Sequence, residues 1–225
     1  MLQGENRIPK KLDTSLTISQ QNSRYVYRFI KRSCDILFSL LGMLIFFVPG
    51  LLIACAIKWE NPKGTIFYTQ TRVGKYQILF KMYKFRSMQE NADSIITKLK
   101  SQNEVDGAMF KMKHDPRVTK VGHFLRRHSL DEIPQLWNVF KGDMSLVGPR
   151  PPLEREVVQY TDYDKQRLSV KPGCTGLWQV SGRNNVGFHE MVELDLKYIK
   201  NRGLYFDFKI ILQTIKIIIF PNNAF

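Results

Sequence analysis

The chain is poor in cysteine: Cys34, Cys55 and Cys174 are odd in number, far apart and form no C-x-x-C pair. That excludes a disulfide framework and a cysteine-based zinc site, and it fits a reducing compartment. Also absent are the G-x-x-x-x-G-K-[ST], H-E-x-x-H, G-x-S-x-G and G-x-G-x-x-G signatures, so the familiar soluble-enzyme sites are excluded. His114, His123, His128 and His189 lack metal-ligand spacing and read as solvated or hydrogen-bonded residues. There are no repeats, heptads or low-complexity tracts. The first 22 residues lack the apolar core and cleavage site of a secretory signal and read as a polar tail. Acidic residues are scarce, 20 against 34 Lys+Arg, for a net charge of +14. Such a surplus suits polyanions, anionic lipid headgroups or phosphorylated small molecules. The mean hydropathy of -0.25 excludes a polytopic membrane protein, and 225 residues suffice for one catalytic core plus appendages.

One long apolar run is present. From Ile36 to Ile57 the sequence carries no charge over about 22 residues, enough for a membrane-spanning helix. Pro49-Gly50 falls in its second half, where a missing N–H and a flexible residue predict a bend. Arg28, Lys31 and Arg32 precede the run and Lys58 and Lys63 follow it, so by the preference of basic residues for the cytoplasmic side both ends favour one face. A kinked single-pass anchor is the plainer alternative, and hydropathy alone favours it.

Downstream, alternation around Gly74 within 64–88 predicts a short β-hairpin. Helices are expected over 91–100, 118–128 and 131–140, the last closed by Lys141-Gly142. The loop MSLVGPRPPLE should be irregular, with the backbone around Arg150 fixed by Gly148-Pro149 and Pro151-Pro152. Further helices are read at 154–170 and 188–201, with a Gly-rich loop at 171–185 between them. A very apolar terminal helix at 208–220 either lies in a membrane interface or packs on the core, packing being the plainer alternative.

The block 125–152, LRRHSLDEIPQLWNVFKGDMSLVGPRPP, places Asp131 and Glu132 between an arginine pair and the rigid arginine loop. Ser129 as N-cap would form a capping box with Glu132, whereas Asp131 as N-cap puts Pro134 in the first turn, and the proline favours the latter. Helix N-termini attract phosphate and lower carboxylate pKa values, although mere capping by both acids is the plainer reading of this segment taken alone. Lys84 and Arg86 in KFRSM, Arg126, Arg150 and Arg183 each sit at a turn or element end. Singly each reads as a solvated cation; as a group they suggest a diphosphate substrate. With Mg²⁺ held by carboxylate and phosphate oxygens, a second carboxylate has the chemistry to attack phosphorus.

At these residues the sequence resembles the monotopic phosphoglycosyl transferases, the bacterial sugar transferase family. The resemblance runs from about Lys31 to Thr214 through KRSCDI, Pro49, TRVGK, YKFRSM, DPRVTKVGHFLRRHSLDEIPQLWNVFKGDMSLVGPRP, KPGCTGLWQVSGRN and DFKIILQT. It implies an α+β, mostly helical fold, with one re-entrant membrane helix broken at Pro49 and a small cytoplasmic catalytic domain carrying a short β-hairpin. It implies transfer of a sugar 1-phosphate from a UDP-sugar to undecaprenyl phosphate, with release of UMP, at the cytoplasmic face of the bacterial inner membrane, early in exopolysaccharide, capsule or O-antigen synthesis. Asp131 resembles the nucleophile that holds the sugar phosphate, and Glu132 the Mg²⁺ ligand or orienting carboxylate. Lys84, Arg86, Arg126, Arg150 and Arg183 resemble phosphate and nucleotide contacts, while Asp195 and Asp207 match acidic motif positions on the substrate side. TGLWQVSGRN looks closer to members that transfer galactose or glucose phosphate than to those handling acetamido sugars. Val48 departs from members with a serine before the proline.

The chain thus divides into a polar tail (1–28), the re-entrant helix (29–58) and the catalytic domain (59–225), resembling the minimal form of the family. Expected partners are the UDP-sugar, undecaprenyl phosphate and membrane lipids, not nucleic acid, with a homodimer left open. A noncatalytic basic membrane adaptor is the competing reading, and a phosphatase using the same aspartyl phosphate chemistry is a third.

Overall fold

The computed structural model describes residues 25–90, 92, 94, 112, 115–182 and 187–220. The expected helix at 91–100 and Arg183 therefore fall largely or wholly outside the described residues.

The first helix, α1 (Tyr25–Ile45), has its polarity reversed. Its buried side is the stripe Arg32, Asp35, Ser39 and Gly42, spaced at three and four residues, whereas Leu37, Phe38, Leu41 and Leu44 point away from the protein, Leu44 67% exposed. The stripe docks on polar contacts: Asp35 accepts from Ser145 Oγ (3.1 Å) and the Leu146 N–H (3.0 Å). At Gly42 a Cβ would come within 2.9 Å of a Leu136 methyl, so a larger residue there would require that side chain to shift. A helix that buries its polar stripe and presents leucines outward is stable where its surroundings are apolar.

The second helix, α2 (Phe47–Glu60), continues at 58° to α1, and no single described helix is long and apolar enough to cross a membrane alone. The break lies at Phe46, not at Pro49 as the sequence suggested. A proline removes the N–H that would bond the carbonyl four residues earlier and crowds that carbonyl, here Ile45. The ladder therefore opens one turn upstream, while Pro49 sits in the first turn of α2, where it costs little. Phe47 and Leu52 are 64% and 68% exposed, and Ile53 and Ile57 face inward onto Phe85 and Leu125. Residues 25–28, assigned to the tail, are helical, and Tyr27 and Lys31 both bond the Asp207 carboxylate (2.8 and 2.9 Å).

The hairpin forms as expected from β1 (Phe67–Val73) and β2 (Leu79–Phe85), paired antiparallel. Its free edge is mended by a side chain: buried Asn138 accepts from the Tyr83 N–H (3.0 Å) and donates to the Lys81 carbonyl (2.7 Å). The basic helix is α3 (Lys120–Arg127), capped by Thr119, whose Oγ1 accepts from the Gly122 N–H (2.9 Å). Asn138 belongs to α4 (Gln135–Lys141), which ends at Gly142 in the left-handed region (φ 99°).

The strands β3 (Ser145–Val147) and β4 (Gly173–Thr175) form a parallel pair, where the sequence suggested only loops. Glycine makes the pairing feasible: a Cβ on Gly173 would lie 2.1 Å from the Gly148 nitrogen. The helix expected over 154–170 is instead α5 (Glu154–Val157), α6 (Asp162–Lys165) and a 3₁₀ turn (Gln166–Ser169). Thr161 and Asp164 form a capping box there that starts a new helix. A short α7 (Leu177–Ser181) leads to α8 (Phe188–Asn201), placed as expected, and α9 (Leu204–Ile219). Along α9 Asp207 and Ile210 are buried, whereas Tyr205, Phe208, Leu212 and Ile215 form an exposed stripe beside Lys209 and Lys216. The helix is apolar all round because it has two faces to satisfy, one of them outside the core.

Candidate active site

Three pieces of chain meet around Asp131. Lys84 comes from the end of β2, Arg150 from the loop after β3, and the two carboxylates from a 3₁₀ turn (Leu130–Glu132). Neither expected helix start forms: Ser129 is left-handed (φ 55°) with no side-chain cap bond, and α4 begins only after Pro134, its N-cap. The residues before the proline close instead with short-range bonds, Glu132 N–H to Ser129 O and Ile133 N–H to Leu130 O (both 3.3 Å). This leaves the Asp131 carboxylate free of capping duty and turns it into the cleft.

Asp131 is 6% exposed and lies 3.7 Å from the Lys84 ammonium, which also bonds Glu132 at 2.7 Å. Burial pushes the Asp131 carboxyl above its usual range, with Glu132 adding to the rise and Lys84 and Arg126 opposing it. The cleft of about 270 Å³ is lined by basic side chains Arg72, Lys84, Arg86, Arg117, Arg126, Arg150 and Arg155 against the carboxylates Glu90, Asp131 and Glu156. Arg126 donates to Ser87 Oγ (3.0 Å) and Arg86 pairs with Glu90 (3.0 Å). Burial, reinforced by the charge of Arg150 and opposed by Glu156, lowers Arg72 to about 9.

The arginine loop is held from behind. Arg72 donates to the Pro151 carbonyl (2.9 Å), the Val73 N–H to that of Pro152 (2.9 Å), and buried Arg167 to that of Arg150 (3.1 Å). Arg167 is fixed by Asp195 (2.9 Å) and the Tyr160 hydroxyl (2.7 Å). The Asp195 carboxylate strengthens the hold of Arg167 on its charge against the cost of burial.

The structure thus brings together Lys84, Arg86, Arg126, Asp131 and Arg150, with Glu132 reaching the group through Lys84. Asp195 does not line the cleft and acts on it through Arg167; Asp207 is remote, shared by Tyr27, Lys31 and Tyr198. Pro49 shapes the bent pair and takes no part in the cleft. Sequence reasoning passed over Arg72, Arg117 and Arg155. Arg72 carried a usable signal, an inward position on a strand whose alternation was already read. Among the described residues no group of three His, Cys, Asp or Glu is placed to hold a metal. Mg²⁺ commonly takes one or two carboxylates and completes its shell with substrate phosphates and water, so Asp131 and Glu132 fit that pattern of donors.

Fold and site together define a mostly helical domain in which an arginine-rich, carboxylate-centred cleft adjoins a bent pair of apolar helices. The model of the family described as "Bacterial sugar transferase" matches residues 26–221, and the chain belongs to that family. It is 43% identical over 223 residues to the galactosyl transferase CpsE of Streptococcus agalactiae, covering 98% of this chain and 49% of that protein. Identity to the undecaprenyl-phosphate galactose phosphotransferase of Salmonella typhimurium is 42% over 214 residues, 93% of this chain and 44% of the relative. With the exopolysaccharide production protein ExoY of Rhizobium meliloti it is 39% over 199 residues, 87% and 88% of the two chains. The chain spans about half the length of the first two relatives.

Proposed function

We propose that this protein transfers a sugar 1-phosphate, of galactose or glucose, from a UDP-sugar to undecaprenyl phosphate and releases UMP, with Asp131 as covalent carrier. The observation that carries this reading is a buried carboxylate beside Lys84 in a cleft crowded with arginines. A cluster of guanidinium groups suits a diphosphate, which it can clamp bidentately. One Asp131 oxygen attacks the β-phosphorus, and the bond from that phosphorus to the bridging oxygen of UMP breaks. The sugar phosphate is then an acyl phosphate on Asp131. An oxygen of undecaprenyl phosphate attacks the same phosphorus, the bond to Asp131 breaks, and the carboxylate is regenerated while the lipid diphosphate sugar leaves.

Lys84 and the cleft arginines offset charge on the transferring phosphoryl group, and the withdrawal of Asp131 from water strips the nucleophile of competing solvent. Mg²⁺, held by Glu132 with the substrate phosphates, would neutralise charge on the diphosphate. The sugar assignment is supported by the names of the Streptococcus and Salmonella relatives and by the TGLWQVSGRN segment.

The bent pair is read as a re-entrant element that enters and leaves the membrane on the cytoplasmic face. In support, both arms contact the same small domain: Arg32 of α1 donates to the Val139 and Phe140 carbonyls (2.7 Å each), and Ile57 of α2 packs with Phe85 and Leu125. The exposed stripe of α9 suits an interfacial position with Lys209 and Lys216 at its margin. UMP release from a panel of UDP-sugars with Mg²⁺ and undecaprenyl phosphate tests the function. Wild type should release UMP and move label into lipid, and Asp131→Asn should do neither; free sugar phosphate as product would indicate a hydrolase instead, and no UMP from any donor the adaptor.

A further inference from the structure

A second and larger cavity, about 370 Å³, lies at the entry of α1 and shares no lining residue with the cleft around Asp131. It is bounded by the first turns of α1, by Lys75 and Tyr76 in the hairpin turn, and by Lys171 just before β4. Lys75 and Lys84 lie toward opposite ends of the hairpin, which at about 3.4 Å per residue separates the cavity from the catalytic groups by well over the length of a phosphate group.

Its electrostatics are one-sided. Arg28, Lys31, Arg32, Lys75, Lys171 and Arg202 face Asp35 as the single carboxylate in the lining. Lys31 is taken up by Asp207, Arg32 is engaged by the Val139 and Phe140 carbonyls, which leave its charge unneutralised, and Asp35 is turned toward β3, where it accepts from Ser145 and Leu146. Lys171 is pulled below its usual range by burial and by the like charges of Arg32 and Lys75, with Asp35 and Asp143 opposing. Such crowding is relieved by an anion in the cavity. Most of the surrounding rings are tyrosines: Tyr25 and Tyr27 stand beside Phe29 on α1, Tyr198 comes from α8, and the ring of Tyr76 lies 4.3 Å from the Lys75 ammonium.

We propose that this cavity binds the phosphodiester headgroup of an anionic phospholipid, as a site separate from the one that turns over substrate. The inference rests on the membrane reading given above. Location decides for a lipid over a soluble phosphate: Arg32 stands one helical turn before Ile36, where the exposed apolar run of α1 begins, so the cavity opens at headgroup level. Tyrosines and basic residues together are the usual composition at that depth. The chain preceding Tyr25 is a poor occupant by charge, since residues 1–24 carry Arg7, Lys10, Lys11 and Arg24 against Glu5 and Asp13.

The test uses the full-length chain in neutral detergent and native mass spectrometry, titrating phosphatidylglycerol and phosphatidylcholine of matched acyl chains. Wild type should retain phosphatidylglycerol in preference, and Lys75→Gln/Lys171→Gln should weaken that retention roughly tenfold or more. Lys197→Gln/Lys200→Gln, on the exposed side of α8, should leave it unchanged. Should the first double variant unfold, Arg28→Gln on the cavity rim serves the same comparison. Equal retention by cavity and control variants overturns the proposal, as does displacement of the lipid by inorganic phosphate at equal concentration, which would mark a soluble-anion site. UMP release measured on the same samples separates the two readings: lipid retention without turnover sinks the transferase assignment alone, and turnover with variant-insensitive retention sinks the lipid site alone.

Discussion

Arg167 and Asp195, both buried in the core, form an ion pair (Nε to Oδ2, 2.9 Å) whose outer face holds the Arg150 carbonyl at the rim of the cleft. A buried pair of this kind is costly to break on one side only, since the partner is left charged and dry. Asp195→Ala should therefore destabilise the fold by about 3–5 kcal/mol. Chemical denaturation measures the loss, and Arg167→Met in the same chain should recover part of it. Unchanged stability in the single variant would show that the pair contributes nothing.

Gly173 gives a steric test of the loop that carries Arg150. A methyl group there would press on the Gly148 backbone, whereas at Gly187 nothing lies within 4 Å. Gly173→Ala should lower the melting temperature and weaken nucleotide-sugar binding, with a stability cost of about 1–3 kcal/mol. Gly187→Ala should be tolerated in both measurements.

Lys84 touches both carboxylates of the site. Lys84→Met should lower kcat/KM by roughly 10²–10³-fold, the usual effect of removing one charge-stabilising donor. Lys84→Arg should recover part of the rate, because the charge returns with a different geometry. Steady-state UMP release decides, and a methionine variant with wild-type kcat/KM would remove Lys84 from the mechanism.

Asp131 sets a pH dependence with a definite sign. Its folded-state carboxyl is raised, chiefly by burial, so the folded chain holds that proton more tightly than the unfolded chain. The stability it contributes is present below the unfolded carboxylate pKa and is lost as pH rises through the folded one. Asp131→Asn should then melt higher than wild type at neutral pH. The gap should close as pH falls through the carboxylate range. A variant that melts lower at neutral pH would show that the pairing with Lys84 outweighs burial.

Topology is tested by single cysteines at Arg28 and Lys63 in a background free of native cysteine. The re-entrant reading requires both to react with an impermeant reagent from the cytoplasmic face alone. Reaction from opposite faces would establish a spanning helix.

What could be read from the sequence was mostly local. The hairpin around Gly74, the helix at 188–201 and the bend near Pro49 follow from alternation, period and a missing N–H, each acting within a few residues. The β3–β4 pair could not be read this way, because two three-residue strands far apart in the chain are set by the mutual approach of Gly148 and Gly173. The break after Tyr160 was legible in Thr161-Asp162-Tyr163-Asp164, a capping box that the longer apolar pattern obscured. In the site, Lys84 and Arg86 from KFRSM and Arg126, Asp131 and Arg150 from the block 125–152 converge as a group. Arg72 joins them from an inward position that strand alternation encodes, whereas Arg117 and Arg155 converge through tertiary packing, which spacing along the chain does not encode.

The covalent step is the centre of the account, and intact-protein mass spectrometry on acid-quenched enzyme reaches it directly. Incubated with UDP-galactose or UDP-glucose and Mg²⁺ without lipid acceptor, the wild type should gain the mass of one hexose phosphate less one water and release an equal amount of UMP. The adduct should map to the peptide containing Asp131, be absent from Asp131→Asn, and disappear when undecaprenyl phosphate is added. Unmodified wild-type protein under conditions in which it turns over with acceptor present would contradict a covalent carrier and point to direct transfer between the two substrates.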